Sequence, residues 1–482
     1  MKNQALVIEW CYTIEIRGDG IMENRKNDFT KGSVARNIIN LAIPMTLAQL
    51  INVLYNIVDR IFIGRIDNGA TLAMSGLGLS LPLITIIIAF ANLFGMGGAP
   101  LCSIARGKGN DKEAEEIMGN SFALMVIFGI LLTIIGLLFK KPLLFMFGAS
   151  EATFPYADAY ISIYLLGSLF VMIGLGMNSF INSQGFAKIG MMTVLLGAVT
   201  NIVLDPIFIF TFQMGVRGAA LATVISQFIS AVWILLFLTG KNTILKLRFQ
   251  RMKLKLEYIR RIVSLGMSGF VMAITNSLVA IVCNASLQSY GGDIYVAAMT
   301  VINSIREVVS MPSSGLTNAS QPVLGYNYGA QAYDRVLKGI KFMTIVCVAY
   351  TFVMWLIITL FPSFFIHIFN KEPHLIEVAI PSLKVYFFGF FMMAFQFAGQ
   401  SVAVALGKSK QAVFFSLLRK VFIVIPLTLV LPKMFGLGIT GIFLAEPISN
   451  FIGGGACYLT MWLTIGRDLK KKVLLQKEKA AL

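Results

Sequence analysis

The chain has 482 residues, 57% of them hydrophobic and only 13% charged, with a mean hydropathy of +0.79 and a formal net charge of +17. Soluble domains carry about 25% charged residues, so this composition excludes a water-facing globule and points to a bilayer as solvent. The positive charge does not signal nucleic acid, because the basic residues lie in short stretches between apolar runs and form no contiguous binding face.

Residues 1–36 mix charged residues with short apolar stretches, which is not the pattern of a secretory leader. From Met22 the text MENRKNDFTKGS runs directly into the first apolar run. Met22 therefore reads as the natural start and residues 1–21 as an upstream extension. Apolar runs of about 20 residues then mark twelve helical spans, at 37–64, 71–100, 117–139, 156–182, 189–212 and 217–239, and at 262–290, 294–322, 342–362, 381–406, 411–432 and 437–465. The expected organisation is an N-terminal extension 1–36, a six-helix bundle 37–239, a basic linker 240–261, a second six-helix bundle 262–465 and a basic tail 466–482. Extended spans without internal breaks argue against a channel built on re-entrant loops.

Loop charge sets the orientation. With the N-terminus in the cytoplasm, most of the 40 basic residues fall on the inner side, and the outer segments hold Arg65, Lys140, Lys141, Arg217, Lys371 and Lys433. Both termini are then expected inside. The linker 240–261 carries eight Lys or Arg residues, for which contact with lipid headgroups is the expected role.

The two halves repeat. Span six contains GVRGAALATVISQFI (215–229) and span twelve GITGIFLAEPISNFI (438–452). One offset pairs Gly215 with Gly438, Gly218 with Gly441, Ala222 with Ala445 and Ser226 with Ser449. The connections QGFAK (184–188) and LGKSK (406–410) align at nearly the same offset. Both halves start on the same side, so the repeat is parallel. Two bundles related by an axis along the membrane normal form a transporter architecture.

Ionisable side chains inside a bilayer are costly and functional by default. Among the 23 acidic residues, Asp59, Asp205, Glu307 and Glu446 lie well within spans. In span one, Gln49, Asn52, Asn56 and Asp59 share one helix face, and Pro44 is expected to kink the inner end. Interhelical hydrogen bonding is the competing role for the amides. In span five, Asn201 and Asp205 stack one turn apart, with Pro206 directly after. A carboxylate beside an amide and a kink, in dry surroundings, suits a site that takes up a proton or Na+. At the repeat offset, Asp59 falls against Cys283 and Asp205 against Thr428, which places coupling-ion chemistry in the N-terminal half. In span eight, Arg306 must find an anion, with Glu307 and Glu446 as the options. These residues form either a substrate cavity or a structural polar network.

The cysteines Cys11, Cys102, Cys283, Cys347 and Cys457 are scattered without a CxxC, so neither a disulfide framework nor a zinc ribbon is signalled. His367 and His374 are expected in an outer loop. Gly407-Lys408-Ser409 lacks the upstream glycine of a phosphate-cradling loop, because position 402 is Val. An enzyme is not indicated, and no cofactor or metal is expected beyond Na+ at the coupling residues. The 24 Met and 38 Phe can repack around varied apolar ligands, although ordinary core and lipid-facing filling accounts for most of them.

Four segments carry a family resemblance: INLAIPMTLAQLINVLYNIVDRIFIGRI (39–66), SIARGKGNDKEAEEIMGNSF (103–122), NSQGFAKIGMMTVLLGAVTNIVLDPIFIF (182–210) and QPVLGYNYGAQAYDRVLKGIK (321–341). Together they make the chain similar to the MATE (multidrug and toxic compound extrusion) family, in the branch of the DNA-damage-inducible and MepA-like exporters. The resemblance implies a cation site made of Asp59 in YNIVDRIFIG, Asn201 and Asp205 in NIVLDPIF, and the single-residue matches Tyr160 and Thr223. Other branches place a cation on acids of helices seven and ten, and spans 262–290 and 381–406 contain no Asp or Glu. The implied activity is efflux of amphipathic, often cationic small molecules in exchange for H+ or Na+. It implies a monomer in the multi-pass inner membrane of a prokaryote, with lipid as its other partner. A flippase for lipid-linked precursors is the alternative within the same superfamily. It is disfavoured here because Arg306 is the one clear intramembrane cation in the sequence reading.

Overall fold

A backbone in lipid must satisfy every N–H and C=O within its own segment, so long apolar runs close into long helices. A computed structural model describes residues 27–66, 70–369, 372–434 and 436–481. The expected extension ahead of Met22 lies outside the described residues. Spans one to three are the helices Val34–Ile63, Ala70–Gly107 and Asp111–Met146. Span five is Ala187–Pro206 followed by a π-helical turn Ile207–Thr211, and span six is Val216–Thr239. Spans seven to nine are Leu256–Gly291, Asp293–Gly329 and Tyr333–Leu360, and span eleven is Ser409–Lys433. Among the described residues, nine helices are long and apolar enough to cross a membrane, or up to eleven with two bent pairs taken as single spans. The twelfth, over 438–466, is helical but less apolar, diluted by Glu446, Asn450 and Gly453, Gly454 and Gly455. A tail helix Arg467–Ala481 follows it.

Two spans differ from the unbroken helices expected. Span four is Phe154–Leu166 and Ser168–Ser183, bent by 56°, and span ten is Pro373–Tyr386 and Phe390–Ala405, bent by 45°. The breaks fall at Gly167 and at Gly389, whose φ of +69° suits a residue without a Cβ. They occupy equivalent places in the two halves. Span ten also begins eight residues earlier than the apolar run suggested, because Pro373 sits in the first helical turn, where a missing N–H is harmless. Glu377 thereby falls inside span ten, exposed near its outer end, which corrects the reading that this span carries no acid.

The repeat is visible in the packing. A Cβ on Gly218 would meet the backbone of Phe208 and Ile209, and one on Gly441 would meet the backbone of Leu431 and Pro432. These pairs are related by the same offset that aligns the sequences. The two bundles pack mainly through spans two and seven and through spans one and eight. Gly97 and Gly266 meet where spans two and seven cross, with Ile262 and Leu93 carbonyls so close that neither glycine has room for a Cβ. Small residues permit this backbone approach. Gly107 against Tyr326 and Gly329 against Ile104 repeat the arrangement nearer the basic end.

At that end the segment before span one straps the bundles together. Arg106 of span two donates to the carbonyls of Asn27 and Ser183, while Asn327 and Arg335 of the second bundle donate to the carbonyl of Phe29. The Phe29 ring is buried edge-on against Tyr326. Four of the eight linker cations pair within the protein, while Lys241, Lys253 and Arg260 are exposed. Arg248 and Arg251 pair with Glu115, Lys255 and Arg251 with Glu116, and Arg261 with Glu113. The acids open span three, more than 130 residues away in the chain for most partners, a pairing that local sequence does not announce.

Gln184, fully buried after span four, accepts on Oε1 from the Thr243 hydroxyl and the Ile244 and Leu245 amides at 2.8, 3.1 and 2.8 Å. Gln184→Leu strands these donors, and stranded buried donors cost about 3 kcal/mol in sum. The expected result is a lower apparent melting temperature in detergent. An unchanged melting curve would show that the linker contributes nothing to the stability of the first bundle.

Candidate ion site

Pro206 cannot donate a backbone hydrogen bond, and the helix of span five widens into a π turn immediately after it. The widening lies next to Asp205, which is 0% exposed, and Asn201 one turn earlier, which is 1% exposed. Asn201 Nδ2 lies 3.3 Å from Asp205 Oδ1 and 3.5 Å from Thr223 Oγ1 of span six. Asp59 of span one is buried at 8% exposure, and its carboxyl group lies within hydrogen-bonding reach of Asp205. Tyr160 of span four is buried within reach of the Thr223 hydroxyl and the field of Asp59. All five residues implied by the family resemblance therefore converge on one place in the first bundle.

Three oxygens at this place have no hydrogen-bond partner: Asp59 Oδ1, Asn201 Oδ1 and Asp205 Oδ2. Buried acceptors are ordinarily satisfied. Two carboxyl groups this close repel when both are charged, and a proton or a cation held between them relieves the repulsion. Tyr55, one turn before Asp59, also lies in the field of both carboxylates. Sequence reading missed it, although its i, i+4 spacing to Asp59 was available.

The rest of the span-one stripe divides. Gln49 and Asn52 are half-buried, while Asn56 is exposed and donates to the Asn52 carbonyl at 2.7 Å, a local bond that leaves it outside the buried group. Beside the inner part of span one, a cavity of about 350 Å³ is lined by Ile39, Ile43, Leu47, Pro312, Leu316 and Val346. It is apolar, and its volume lies within the range of small-ligand sites.

In the second bundle the equivalent of the acid pair is Cys283 Sγ and Thr428 Oγ1, 3.7 Å apart. Charge gathers next to it. Glu446 lies 3.1 Å from Arg419 Nη1, 3.2 Å from Lys420 Nζ and 3.9 Å from Arg306 Nη1. Arg306 therefore chooses Glu446, and Glu307 is exposed. Arg419 and Lys420 are both buried, so the reading of Arg306 as the one clear intramembrane cation is corrected to three. Among the described residues, no group of three or more His, Cys, Asp or Glu side chains is placed to hold a metal ion.

Twelve spans in two pseudo-equivalent bundles, each enclosing buried charge, define a polytopic membrane transporter. The MatE family model matches residues 44–207 and 269–430, most of both bundles, and the chain belongs to the MATE family. Curated relatives include the multidrug export protein MepA of Staphylococcus haemolyticus, 26% identical over 427 residues, covering 88% of this chain and 93% of that protein. MepA of Staphylococcus saprophyticus is 26% identical over 437 residues, covering 90% and 95%. Among solved structures, an outward-facing multidrug resistance MATE family transporter of the MOP superfamily aligns with a TM-score of 0.86 at 23% identity, covering 93% of this chain and 99% of that one. A MATE structure in the straight conformation aligns at 0.87 with the same identity and coverage.

Proposed function

We propose that the chain is a secondary active exporter of amphipathic, often cationic compounds, driven by exchange for H+ or Na+ through alternating access. The observation that carries this reading is the set of unpartnered buried acceptors on Asp59, Asn201 and Asp205. An acceptor-only group in dry surroundings is stabilised by a proton or by Na+, and its occupancy can bias how the helices around it pack. Asp59 and Asp205 would exchange the ion, with Asn201, Thr223 and Tyr160 as orienting and liganding groups. The parallel repeat supports rocking of bundle 37–239 against bundle 262–465 about a central site. The names of the MepA relatives support the substrate class. Gln49 and Asn52 are assigned to the substrate path and Arg306 and Glu446 to the polar network of the second bundle, with the exposed Asn56 and Glu307 outside both groups. The protein acts as a monomer in a prokaryotic cell membrane with both termini cytoplasmic, and its partners are its substrates, lipid and the coupling ion.

The flippase reading gains one observation, the three cations of the second bundle, Arg419 and Lys420 buried and Arg306 part-exposed. Those cations enclose Glu446 rather than line the seam between the bundles, so the exporter reading stands first. The test is efflux of a fluorescent organic cation from proteoliposomes, with a pH gradient and a Na+ gradient imposed separately. One of the gradients is expected to drive accumulation against the substrate gradient. Equal, uncoupled leakage under both would overturn the exporter reading.

A further inference from the structure

The acid pair of the first bundle and the Cys283–Thr428 pair of the second occupy equivalent positions, yet their surroundings carry opposite charge. Around Glu446 stand Arg306, Arg419 and Lys420, three cations against one carboxylate. Arg419 and Lys420 are 5% and 4% exposed, and Glu446 is 5% exposed. Glu307 adds an exposed carboxylate in the field of Arg306, and the remaining polar neighbours are neutral. Asn450 Oδ1 accepts from Arg419, and the Tyr386 hydroxyl, 3.4 Å from Asn303 Oδ1, lies in the field of Arg306. Among the described residues no second carboxylate is buried there, Glu307 being exposed.

Donor capacity is left over. Arg419 Nε and Arg306 Nε are both buried without a hydrogen-bond partner. A buried guanidinium with an orphaned N–H is costly, and a buried ion network with excess charge is stable only when a counter-charge completes it. Arg306 is the way in, since its side chain is 29% exposed while those of Arg419 and Lys420 are closed off. Sequence neighbours on an α-helix point about 100° apart, but Arg419 and Lys420 lie on a π-helical stretch, Leu418–Val424, which turns both toward Glu446. Such widened turns recur at functional sites.

We infer that the second bundle binds an anion between Arg306, Arg419 and Lys420, so that the protein carries a cation site and an anion site at equivalent positions of its two halves. The ligand class is a compact oxyanion or halide, supplied either as a free inorganic ion or as the carboxylate or phosphate of a zwitterionic cargo. This inference does not depend on which ion drives efflux.

The test uses the full chain purified in detergent, titrated by calorimetry and by thermal unfolding with chloride, inorganic phosphate and acetate at constant ionic strength, against gluconate. Saturable binding of at least one of the three small anions, with a raised melting temperature, is expected. Arg306→Gln is expected to weaken it at least tenfold, and Lys420→Met likewise. Asp205→Asn in the other bundle should leave anion affinity unchanged. A second arm compares a zwitterionic with a purely cationic efflux substrate. Loss of the zwitterion alone in Arg306→Gln identifies the bound group as part of the cargo, whereas equal retention of both alongside anion binding identifies a free ion. Absence of saturable binding in the wild type, or identical affinity in wild type and Arg306→Gln, would overturn the inference. Should Lys420→Met fail to fold, the wild-type titration and Arg306→Gln still decide it.

Discussion

Asp205→Asn is expected to reduce gradient-driven efflux to the level of protein-free vesicles while the protein still folds and inserts. The substitution keeps the shape and the contact with Asn201, 3.3 Å away, but fixes the neutral form of the group. It also removes a buried carboxylate with an unpartnered oxygen, and such a group is expensive in an apolar interior, so yield and thermal stability should hold or rise. A site that cannot exchange its ion has no differential affinity to offer the two packings of the bundle. The gradient then does no work on the substrate. Asp59→Asn should behave alike, because the two carboxyl groups are within reach of one another. The double variant should be no worse than either single one, the non-additivity expected of groups serving one site. Substrate binding in detergent should persist in all three. Wild-type-like driven efflux by a correctly inserted Asp205→Asn protein would sink the coupling mechanism, and loss of substrate binding would move Asp205 to the substrate path.

Much of this architecture was legible in the sequence because the bilayer enforces it. A hydrocarbon slab about 30 Å thick demands runs of about 20 apolar residues, and such runs located every span. The Asn201–Asp205 pair was readable from its helical spacing. Its convergence with Asp59, Tyr160 and Thr223 came only through the family resemblance, since no local pattern links spans one, four, five and six. Hydropathy cannot see a bend, so spans four and ten read as single helices although Gly167 and Gly389 break them. A first-turn proline also hid the true start of span ten.

Charge pairing was the least legible feature. Glu113, Glu115 and Glu116 look like an ordinary acidic helix start, and nothing local reveals that linker cations more than 130 residues away neutralise them. Arg419 and Lys420 share one partner for a geometric reason. With α-helical geometry one of two adjacent cations must face away from any shared partner, which suggests an interfacial side chain. The π turn removes that constraint, and sequence gives no sign of it. Both pairings are long-range electrostatics, where partner choice depends on tertiary position.

Gly266→Val is expected to separate the bundles at their basic end and to abolish transport without preventing insertion. Gly266 faces the Leu93 carbonyl and Gly97 faces the Ile262 carbonyl, so a side chain at either position meets backbone, which cannot swing aside as a side-chain tip can. Overpacking of this kind costs about 1–3 kcal/mol. The cost falls only on the arrangement in which spans two and seven touch. At about 1.4 kcal/mol per tenfold, it shifts the balance toward the separated arrangement by roughly five- to a hundredfold. Spin labels at the exposed Lys108 and Gln331, in loops of opposite bundles at that end, should report a longer distance in Gly266→Val than in wild type. Gly97→Val should reproduce the shift, because the two glycines form the same crossing. Gly269→Ala is the control, since a Cβ there would reach only the flexible Met96 sulfur, at 3.6 Å. It should leave both distance and transport unchanged. An unaltered distance in Gly266→Val with normal transport would mean that the crossing yields locally, and that the two bundles are not rigid bodies meeting at these glycines.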